Sequence, residues 1–213
     1  GTSMTEPQLV ATLEAVRARR GFAIVDEIYQ GLSYDGAPVT ALAHGEDVIT
    51  VNSFSKYFSM TGWRLGWLVV PDALVPVFEK LAQNLFICPP TVAQHAALAC
   101  FRDDALAIYE ERRLEFKRRR DFLVPALRDL GFKVPVMPDG AFYVYADISG
   151  VPHKDAKDSS AFAWSVLREA NVAIVPGDDF GFAAPARHVR FSYATAYERL
   201  EEAVDRMARL FRS

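Results

Sequence analysis

The chain has 213 residues, of which 51% are hydrophobic and 24% are charged, a composition typical of a globular protein with one or two domains. Its formal net charge of −3 and pI near 5.8 give it no general attraction to nucleic acid or to an anionic membrane. No apolar run reaches the roughly 20 residues that a membrane-spanning helix needs, so we expect a soluble protein.

The first part of the chain alternates helical and strand patterns. Thr5-Glu-Pro-Gln8 resembles a capping box with proline in the first turn, which predicts a helix that ends near Arg20, before Gly21. Short runs that are apolar throughout predict β-strands at residues 22–26, 48–53 and 65–70. Such runs are typical of a sheet covered on both faces by helices, so we predict an α/β fold whose ligands bind at the carboxyl ends of the strands.

The rest of the chain is predicted to contain a long helix and a second set of strands. Helices are predicted at residues 72–84 and 91–101, followed by an amphipathic helix at residues 105–130. After it we predict strands at residues 142–147, 172–175 and 188–192, and helices at residues 159–170 and 197–212. Two domains are therefore expected, a large one including residues 1–104 and a linking helix with a small α/β domain at residues 105–213.

The segment VNSFSKYFSMTGWRLGW, residues 51–67, places Lys56 among aromatic side chains at the end of a predicted strand. A lysine in such surroundings can lose its proton more easily than a solvated one, and a neutral amine can form an imine with an aldehyde. Arg64 offers a planar guanidinium suited to a phosphate, and Ser53 and Ser55 supply hydroxyl donors. Together these residues predict a site for an aldehyde that carries a phosphate.

The sequence DEIY follows another predicted strand and adds two further groups. Asp26 supplies a carboxylate, and a buried carboxylate can keep a pyridine nitrogen protonated. Tyr29 lies one helical turn later, and its phenol can hydrogen-bond a ring hydroxyl. Pyridoxal phosphate combines an aldehyde, a phosphate, a pyridine nitrogen and a ring hydroxyl, so these residues match all of its chemical groups.

The segments VDEIY, SFSKYFSMTGWRLGW and HVRFSYA resemble those of the class I/II, fold type I, aminotransferases, which depend on pyridoxal 5'-phosphate. The similarity runs over essentially the whole chain. It implies an α/β fold in which part of a large domain, with a mostly parallel sheet and helices on both faces, is joined to a smaller C-terminal α/β domain.

The resemblance also implies a role for each candidate site residue. Lys56 would be the Schiff-base lysine that later moves a proton between substrate and cofactor carbons. Asp26 would pair with the pyridinium nitrogen, and Tyr29 would bind the ring oxygen. Arg190 would bind the α-carboxylate of the amino acid. The phosphate would be held by Ser53, Ser55 and Arg64.

The activity that this resemblance implies is a ping-pong transfer of an amino group between an α-amino acid and a 2-oxo acid. The partners would be these small molecules and, by analogy with fold type I enzymes, a second copy of the enzyme in a homodimer. No second substrate-binding arginine can be identified, so the sequence does not indicate which amino acid is used. The alternatives are a lyase or synthase on the same scaffold, and the aminotransferase-like effector domain of a transcription regulator.

Three features that family members carry before this point are absent from the sequence: a glycine-containing phosphate loop, an aromatic that stacks on the pyridine ring, and an Asn-Pro-x-Gly turn. Gly1-Thr2 matches the end of that turn, although a cloning remnant before Met4 is the alternative reading. We therefore expect the N-terminal part of the large domain to be missing from this sequence. Without it, the sheet should expose edges and apolar faces.

The remaining patterns indicate no metal, disulfide or nucleic-acid site. Cys88 and Cys100 lack a CxxC spacing, which predicts buried structural thiols and a reducing, cytoplasmic location. The basic run at residues 117–120 has acidic neighbours on the predicted long helix, which indicates an ion-paired surface. The histidines, which are scattered without a ligand pattern, are His44, His95, His153 and His188.

Overall fold

The computed structural model describes residues 1–212, and the chain divides into two compact units. The first unit contains residues 3–113, and the second contains residues 1–2 and the residues from Leu114 onward. One continuous helix, Asp103–Asp129, supplies residues to both units. The division into domains at residues 1–104 and 105–213 stays a prediction.

The first unit alternates helices with three strands, as the apolar runs predicted. The elements of the first unit are α1 (Glu6–Ala18), β1 (Ala23–Asp26), β2 (Val48–Ser53), β3 (Gly66–Val69), α2 (Val75–Leu85), α3 (Thr91–Leu98) and the first part of α4 (Asp103–Asp129).

No helix within residues 1–212 is both long and apolar enough to cross a membrane.

Strand order in the first unit is β1-β2-β3, with β1 parallel and β3 antiparallel to β2. The described three-stranded sheet is therefore mixed, with one parallel and one antiparallel pairing, as part of the mostly parallel sheet that the family resemblance implied. Asp26 is paired with Val51, and Ser53 with Gly66. Because β1 and β2 are parallel neighbours, their carboxyl ends lie side by side, and both candidate cofactor segments begin there.

Two apolar clusters support this sheet. Leu9 and Leu13 of α1 pack with Ala41 and Val48, and the amide of Thr5 donates to Gln8 Oε1 at 2.9 Å, as expected for a capped helix. Leu13 is almost fully buried, a contribution of about 1.5–3 kcal/mol to folding. The second cluster, beneath the residues that follow β2, contains Phe54, Met60, Leu65, Ala93, Ala97 and Cys100.

The sheet also leaves apolar side chains uncovered. Phe22 is 74% exposed, Ile24 is 67% exposed, and every residue of β3 is exposed. The expected exposure of apolar faces is therefore observed, while the cover on both faces that apolar strands predict is not seen within residues 1–212. Cys88 is exposed too, contrary to the prediction of a buried thiol, because it lies in the turn between α2 and α3, whereas Cys100 is buried.

The second unit packs helices on an antiparallel sheet of order β4-β6-β5. The strand predicted at residues 172–175 is displaced, because only Val175 and Pro176 pair with β6 and proline has no amide hydrogen to extend the pairing. The elements are the rest of α4, then β4 (Tyr143–Asp147), α5 (Ser159–Ser165) continued by a π-helical turn (Val166–Ala170), β5 (Val175–Pro176), β6 (His188–Ser192) and α6 (Tyr197–Leu210).

Candidate active site

Lys56 lies in the segment that follows β2, which we call the lysine loop (residues 54–65). Phe54 and Met60 are buried in the core and are joined by a hydrogen bond from the Met60 amide to the Phe54 carbonyl at 2.9 Å. The Phe54 amide donates to the Leu65 carbonyl at 3.1 Å, which closes the loop at its base. Lys56 itself is only half-buried. Buried side chains and backbone hydrogen bonds therefore fix the lysine loop, while Lys56 stays partly exposed.

Tyr29 lies in the corresponding segment after β1, which we call the tyrosine loop (residues 27–34). Lys56 Nζ is 5.6 Å from the centroid of the Tyr29 ring. The Tyr29 carbonyl accepts a hydrogen bond from the Leu32 amide at 2.9 Å, within a short 3-10 helix. The amine and the phenol ring are thus brought together from two neighbouring strand ends.

The two serines and Arg64 occupy the base of the lysine loop. The hydroxyls of Ser53 and Ser55 lie 2.9 Å apart, and the Ser55 amide donates to Ser53 Oγ at 3.0 Å. Arg64 has a left-handed backbone (φ 53°), is exposed, and donates from Nη1 to the Thr61 carbonyl at 3.0 Å. Left-handed backbone is unfavourable for an arginine, so the fold holds this guanidinium in place at a cost in free energy.

Asp26 ends β1, and its Oδ1 accepts a hydrogen bond from the Ile28 amide at 3.0 Å. Within residues 1–212 the Asp26 side chain is exposed. It is not the buried carboxylate that was expected beside a pyridine nitrogen. The physical reason is that β1 is an edge strand of the described sheet, with no neighbour on its far side.

The buried carboxylate of this segment is the next residue, Glu27, which the sequence reasoning missed. Its oxygens accept from Thr40 Oγ1 at 3.0 Å and from the Ala41 amide at 2.7 Å. These bonds tie the start of the tyrosine loop to the residues that lead into β2. No local pattern signals this role, because its partners Thr40 and Ala41 lie 13 and 14 residues further along the chain.

Arg190 belongs to the second unit, where it lies on β6, the central strand, opposite Tyr145 of β4. Its guanidinium carbon is 4.5 Å from the Phe180 ring centroid and 5.7 Å from that of Tyr143. The Arg190 Nε–H is buried and donates to no acceptor within residues 1–212. A buried, unpaired donor on a cation is costly unless a ligand satisfies it.

The predicted site residues therefore fall into two groups. Arg190 is the only predicted residue in the second unit. Those in the first unit, at the ends of two adjacent strands and on their loops, are Asp26, Tyr29, Ser53, Ser55, Lys56 and Arg64.

Comparison with known proteins gives close relatives over nearly the whole chain. The valine–pyruvate aminotransferase of Mycobacterium tuberculosis is 40% identical over 209 residues, which cover 97% of this chain and 53% of that protein. The aspartate aminotransferase of Pyrococcus abyssi is 41% identical over 194 residues, which cover 89% of this chain and 48% of that protein.

Solved structures show the same relationship. A crystal structure of an aminotransferase from Mycobacterium tuberculosis has a TM-score of 0.91 at 39% identity and covers 99% of this chain and 54% of that chain. The aromatic aminotransferase from Pyrococcus horikoshii has a TM-score of 0.89 at 38% identity, covering 99% of this chain and 56% of that chain. The α/β fold class is thus confirmed, and the chain spans about half the length of the relatives it matches. Because the family model of aminotransferase class I and II matches residues 1–207, the chain belongs to that family.

Proposed function

We propose that this chain carries residues of the pyridoxal 5'-phosphate site of an aminotransferase, which moves an amino group between an α-amino acid and a 2-oxo acid by a ping-pong mechanism. One observation carries the proposal. The end of β2 and the lysine loop together present an amine, two hydroxyls and a guanidinium, and the end of β2 lies beside the strand end that bears Asp26. This combination matches the functional groups of the cofactor, and family membership supports it.

The donors at the base of the lysine loop fit a phosphate. Ser53 and Ser55 place two hydroxyls 2.9 Å apart, a spacing at which both can reach one phosphate group. Arg64 donates one N–H to the Thr61 carbonyl, and a guanidinium carries five N–H donors, so several remain for phosphate oxygens. Charge-assisted bonds of this kind are about twice as strong as bonds between neutral groups.

Lys56 and the residues after β1 are proposed to do the chemistry. When bound, the cofactor supplies an aldehyde for covalent attachment and a ring that accepts the electron pair left on the substrate carbon. Lys56 Nζ would hold the cofactor covalently until the amino group of the substrate displaces it. The freed amine would then take the proton from the substrate α-carbon and deliver it to a carbon of the cofactor. The Asp26 carboxylate would keep the ring nitrogen protonated, and the Tyr29 phenol would donate to the ring oxygen.

Arg190 is proposed to bind the substrate α-carboxylate. Its buried Nε–H lacks an acceptor within residues 1–212, and the neighbouring rings of Tyr143 and Phe180 restrict the movement of the guanidinium. A carboxylate would satisfy that donor with a charge-assisted bond. The substrates would then be an α-amino acid and a 2-oxo acid, and we further propose that the intact enzyme is a cytoplasmic homodimer.

The test is an absorbance titration of the complete polypeptide that carries this sequence. Pyridoxal phosphate is added to wild type, to Lys56→Ala and to a control, Lys80→Ala, which alters an exposed lysine of α2. We expect a visible band with wild type and Lys80→Ala, absent in Lys56→Ala, that disappears with an amino acid and returns with a 2-oxo acid. A stable band that never converts would favour a lyase or a regulatory domain. No Lys56-dependent band would contradict the cofactor assignment.

A further inference from the structure

We propose that Tyr57, Glu110 and Arg113 are positioning residues that fix the lysine loop against the tyrosine loop. The inference rests on the proposed function and deepens it, because the two loops carry Lys56 and Tyr29. None of the three belongs to the group proposed to touch the cofactor. Two of them lie on α4, so the helix acts as a common support for both loops.

The first link joins α4 to the lysine loop. The Tyr57 hydroxyl donates to Glu110 Oε1 at 2.7 Å, and Tyr57 directly follows Lys56 in the chain. A second bond nearby, from Arg112 Nη1 to Ser59 Oγ at 3.0 Å, ties the same loop to the same helix. Movement of the lysine backbone away from α4 would therefore break at least one of these bonds.

The second link joins α4 to the tyrosine loop. Arg113 Nε donates to Glu110 Oε2 at 2.8 Å, while Arg113 Nη1 donates to the Ser33 carbonyl at 3.0 Å. One carboxylate thus accepts from Tyr57 on one oxygen and from Arg113 on the other. The three side chains form a continuous hydrogen-bonded bridge between the two loops.

A direct contact between the loops completes the arrangement. A Cβ atom built on Gly31 would lie 2.5 Å from Tyr57 Cγ and 2.7 Å from Tyr57 Cβ. Only a glycine permits so close an approach without movement of one loop. The Tyr57 side chain is therefore held by Gly31 packing on its ring and by Glu110 at its hydroxyl.

The protonation states of Tyr57 and Glu110 favour the hydrogen bonds of this bridge at neutral pH. Burial and the bond to Glu110 raise the pKa of Tyr57 to about 12, so the phenol remains a donor at neutral pH. Burial opposes ionisation of Glu110, but the hydrogen bonds from Tyr57 and Arg113 outweigh it and lower the pKa of that carboxyl. The bridge therefore joins a neutral phenol, an anion and a cation, which favours short charge-assisted bonds.

The expected consequence is control of the distance between the Lys56 amine and the Tyr29 ring, which is 5.6 Å. Catalytic groups have to be held within about 0.5 Å of their working geometry by surrounding hydrogen bonds and packing. The backbone hydrogen bonds from Leu32 to Tyr29 and from Ser33 to Gln30 lie within the tyrosine loop. The bridge adds a hydrogen-bonded connection between the loops to the packing of Gly31 on Tyr57.

The test compares Tyr57→Phe, Glu110→Gln and the double variant in the complete polypeptide with pyridoxal phosphate bound. The control is Arg102→Gln, which removes an exposed ion pair at the start of α4. Tyr29→Phe is the reference variant, because it changes the tyrosine loop directly. We expect Tyr57→Phe and Glu110→Gln to shift the pH midpoint of the Lys56-dependent absorbance in the same direction as Tyr29→Phe, by about 0.5 pH unit, as partial loss of one hydrogen bond predicts. The double variant should shift no further than the larger single shift, because both changes break one bridge.

A second readout requires no cofactor. Hydrogen exchange of the amides of Leu32 and Ser33, which bond within the tyrosine loop at 2.9 and 3.1 Å, should be about tenfold faster in Glu110→Gln than in Arg102→Gln. If wild type forms no Lys56-dependent band, the proposed function fails, while exchange still tests the bridge. Unchanged exchange would overturn the inference, as would faster exchange without a midpoint shift, since the bridge would then serve stability alone.

Discussion

Arg64 has a backbone conformation that costs free energy for an arginine. Its left-handed φ of 53° is a conformation that costs roughly 1–2 kcal/mol for a residue with a Cβ. The side chain is exposed and makes a backbone contact with Thr61 rather than an ion pair within residues 1–212. A guanidinium held in this way suits an external anion better than an internal partner.

We therefore predict that Arg64→Gln weakens binding of pyridoxal phosphate by about tenfold to a hundredfold, the effect of losing charge-assisted hydrogen bonds to the phosphate. Pyridoxal, which has no phosphate, should bind wild type and Arg64→Gln with the same affinity. The measurement is an absorbance titration with each aldehyde. Equal losses for both aldehydes would show that Arg64 supports the loop rather than the phosphate.

Glu27 offers a prediction about stability. Glu27→Gln removes a buried carboxylate that accepts from Thr40 and Ala41 and leaves a donor in its place, so the free energy of unfolding should fall by about 1–3 kcal/mol. Urea unfolding measures the change. Glu46→Gln, at an exposed position nearby, should change it by less than about 0.5 kcal/mol. Similar values for both variants would contradict a structural role for Glu27.

Sequence alone singles out residues with distinctive chemistry and gives no signal for residues with supporting contacts. Lys56 and Arg64 are predicted site residues because an amine and a guanidinium near serines match a phosphorylated aldehyde, and this assignment stays a prediction. The exposure of Asp26 and the burial of Glu27 could not, since each depends on which strands lie beside β1. Glu110 was equally hidden, because its contact with Tyr57 joins residues 53 positions apart.

At the scale of elements, the pairing of β2 with β3 sets the base of the lysine loop. A Cβ atom on Gly66 would lie 2.7 Å from the Asn52 carbonyl oxygen, so Gly66→Ala forces the two strands apart. We predict a loss of about 1–3 kcal/mol in the free energy of unfolding, measured with urea. Gly62→Ala is the matched control, since a Cβ there meets nothing within 4 Å. Equal effects would contradict the close approach at Gly66.

Helix α4 contains an acidic residue, Glu115, whose contribution to the free energy of unfolding depends on pH. Hydrogen bonds from Arg118, together with those from Arg119, outweigh burial and lower the pKa of Glu115 from 4.5 to about 2. Because the folded-state pKa is lowered, the stabilisation is present above pH 4.5 and is lost as the pH falls towards 2. The free energy of unfolding should therefore be higher for wild type than for Glu115→Gln, and this difference should be larger at about pH 6 than at about pH 3.5. Urea unfolding at both pH values tests this, and a constant difference would refute it.

Most elements could be predicted because their patterns are local. The strand at His188–Ser192 and the long helix at Asp103–Asp129 agree with expectation to within two residues. The strand predicted at residues 172–175 was displaced, since its two paired residues are set by contact with β6 and not by a local pattern. The antiparallel direction of β3 could not be read from the sequence, because strand direction depends on the path of the connecting loops.

At the scale of the whole molecule, the proposed substrate-binding residue Arg190 belongs to the second compact unit. We predict that Arg190→Gln raises KM for amino acids by about tenfold to a hundredfold, since the substitution removes the guanidinium, whose Nε is buried, and with it the proposed charge-assisted bond to the substrate carboxylate. The cofactor band should be unchanged. Arg187→Gln is the control, because that arginine is half-exposed and pairs with Asp147 at 2.6 Å. Steady-state kinetics would contradict the assignment if the two variants had equal KM values.

The most direct test of the central claim is transfer of an isotopically labelled amino nitrogen by the complete polypeptide. Wild type with pyridoxal phosphate is mixed with a labelled amino acid and an unlabelled 2-oxo acid, and mass spectrometry follows the label. The account predicts a new amino acid that carries the labelled nitrogen, formed by wild type and Lys80→Ala and absent with Lys56→Ala. Release of the label as ammonia, or transfer that persists in Lys56→Ala, would contradict it.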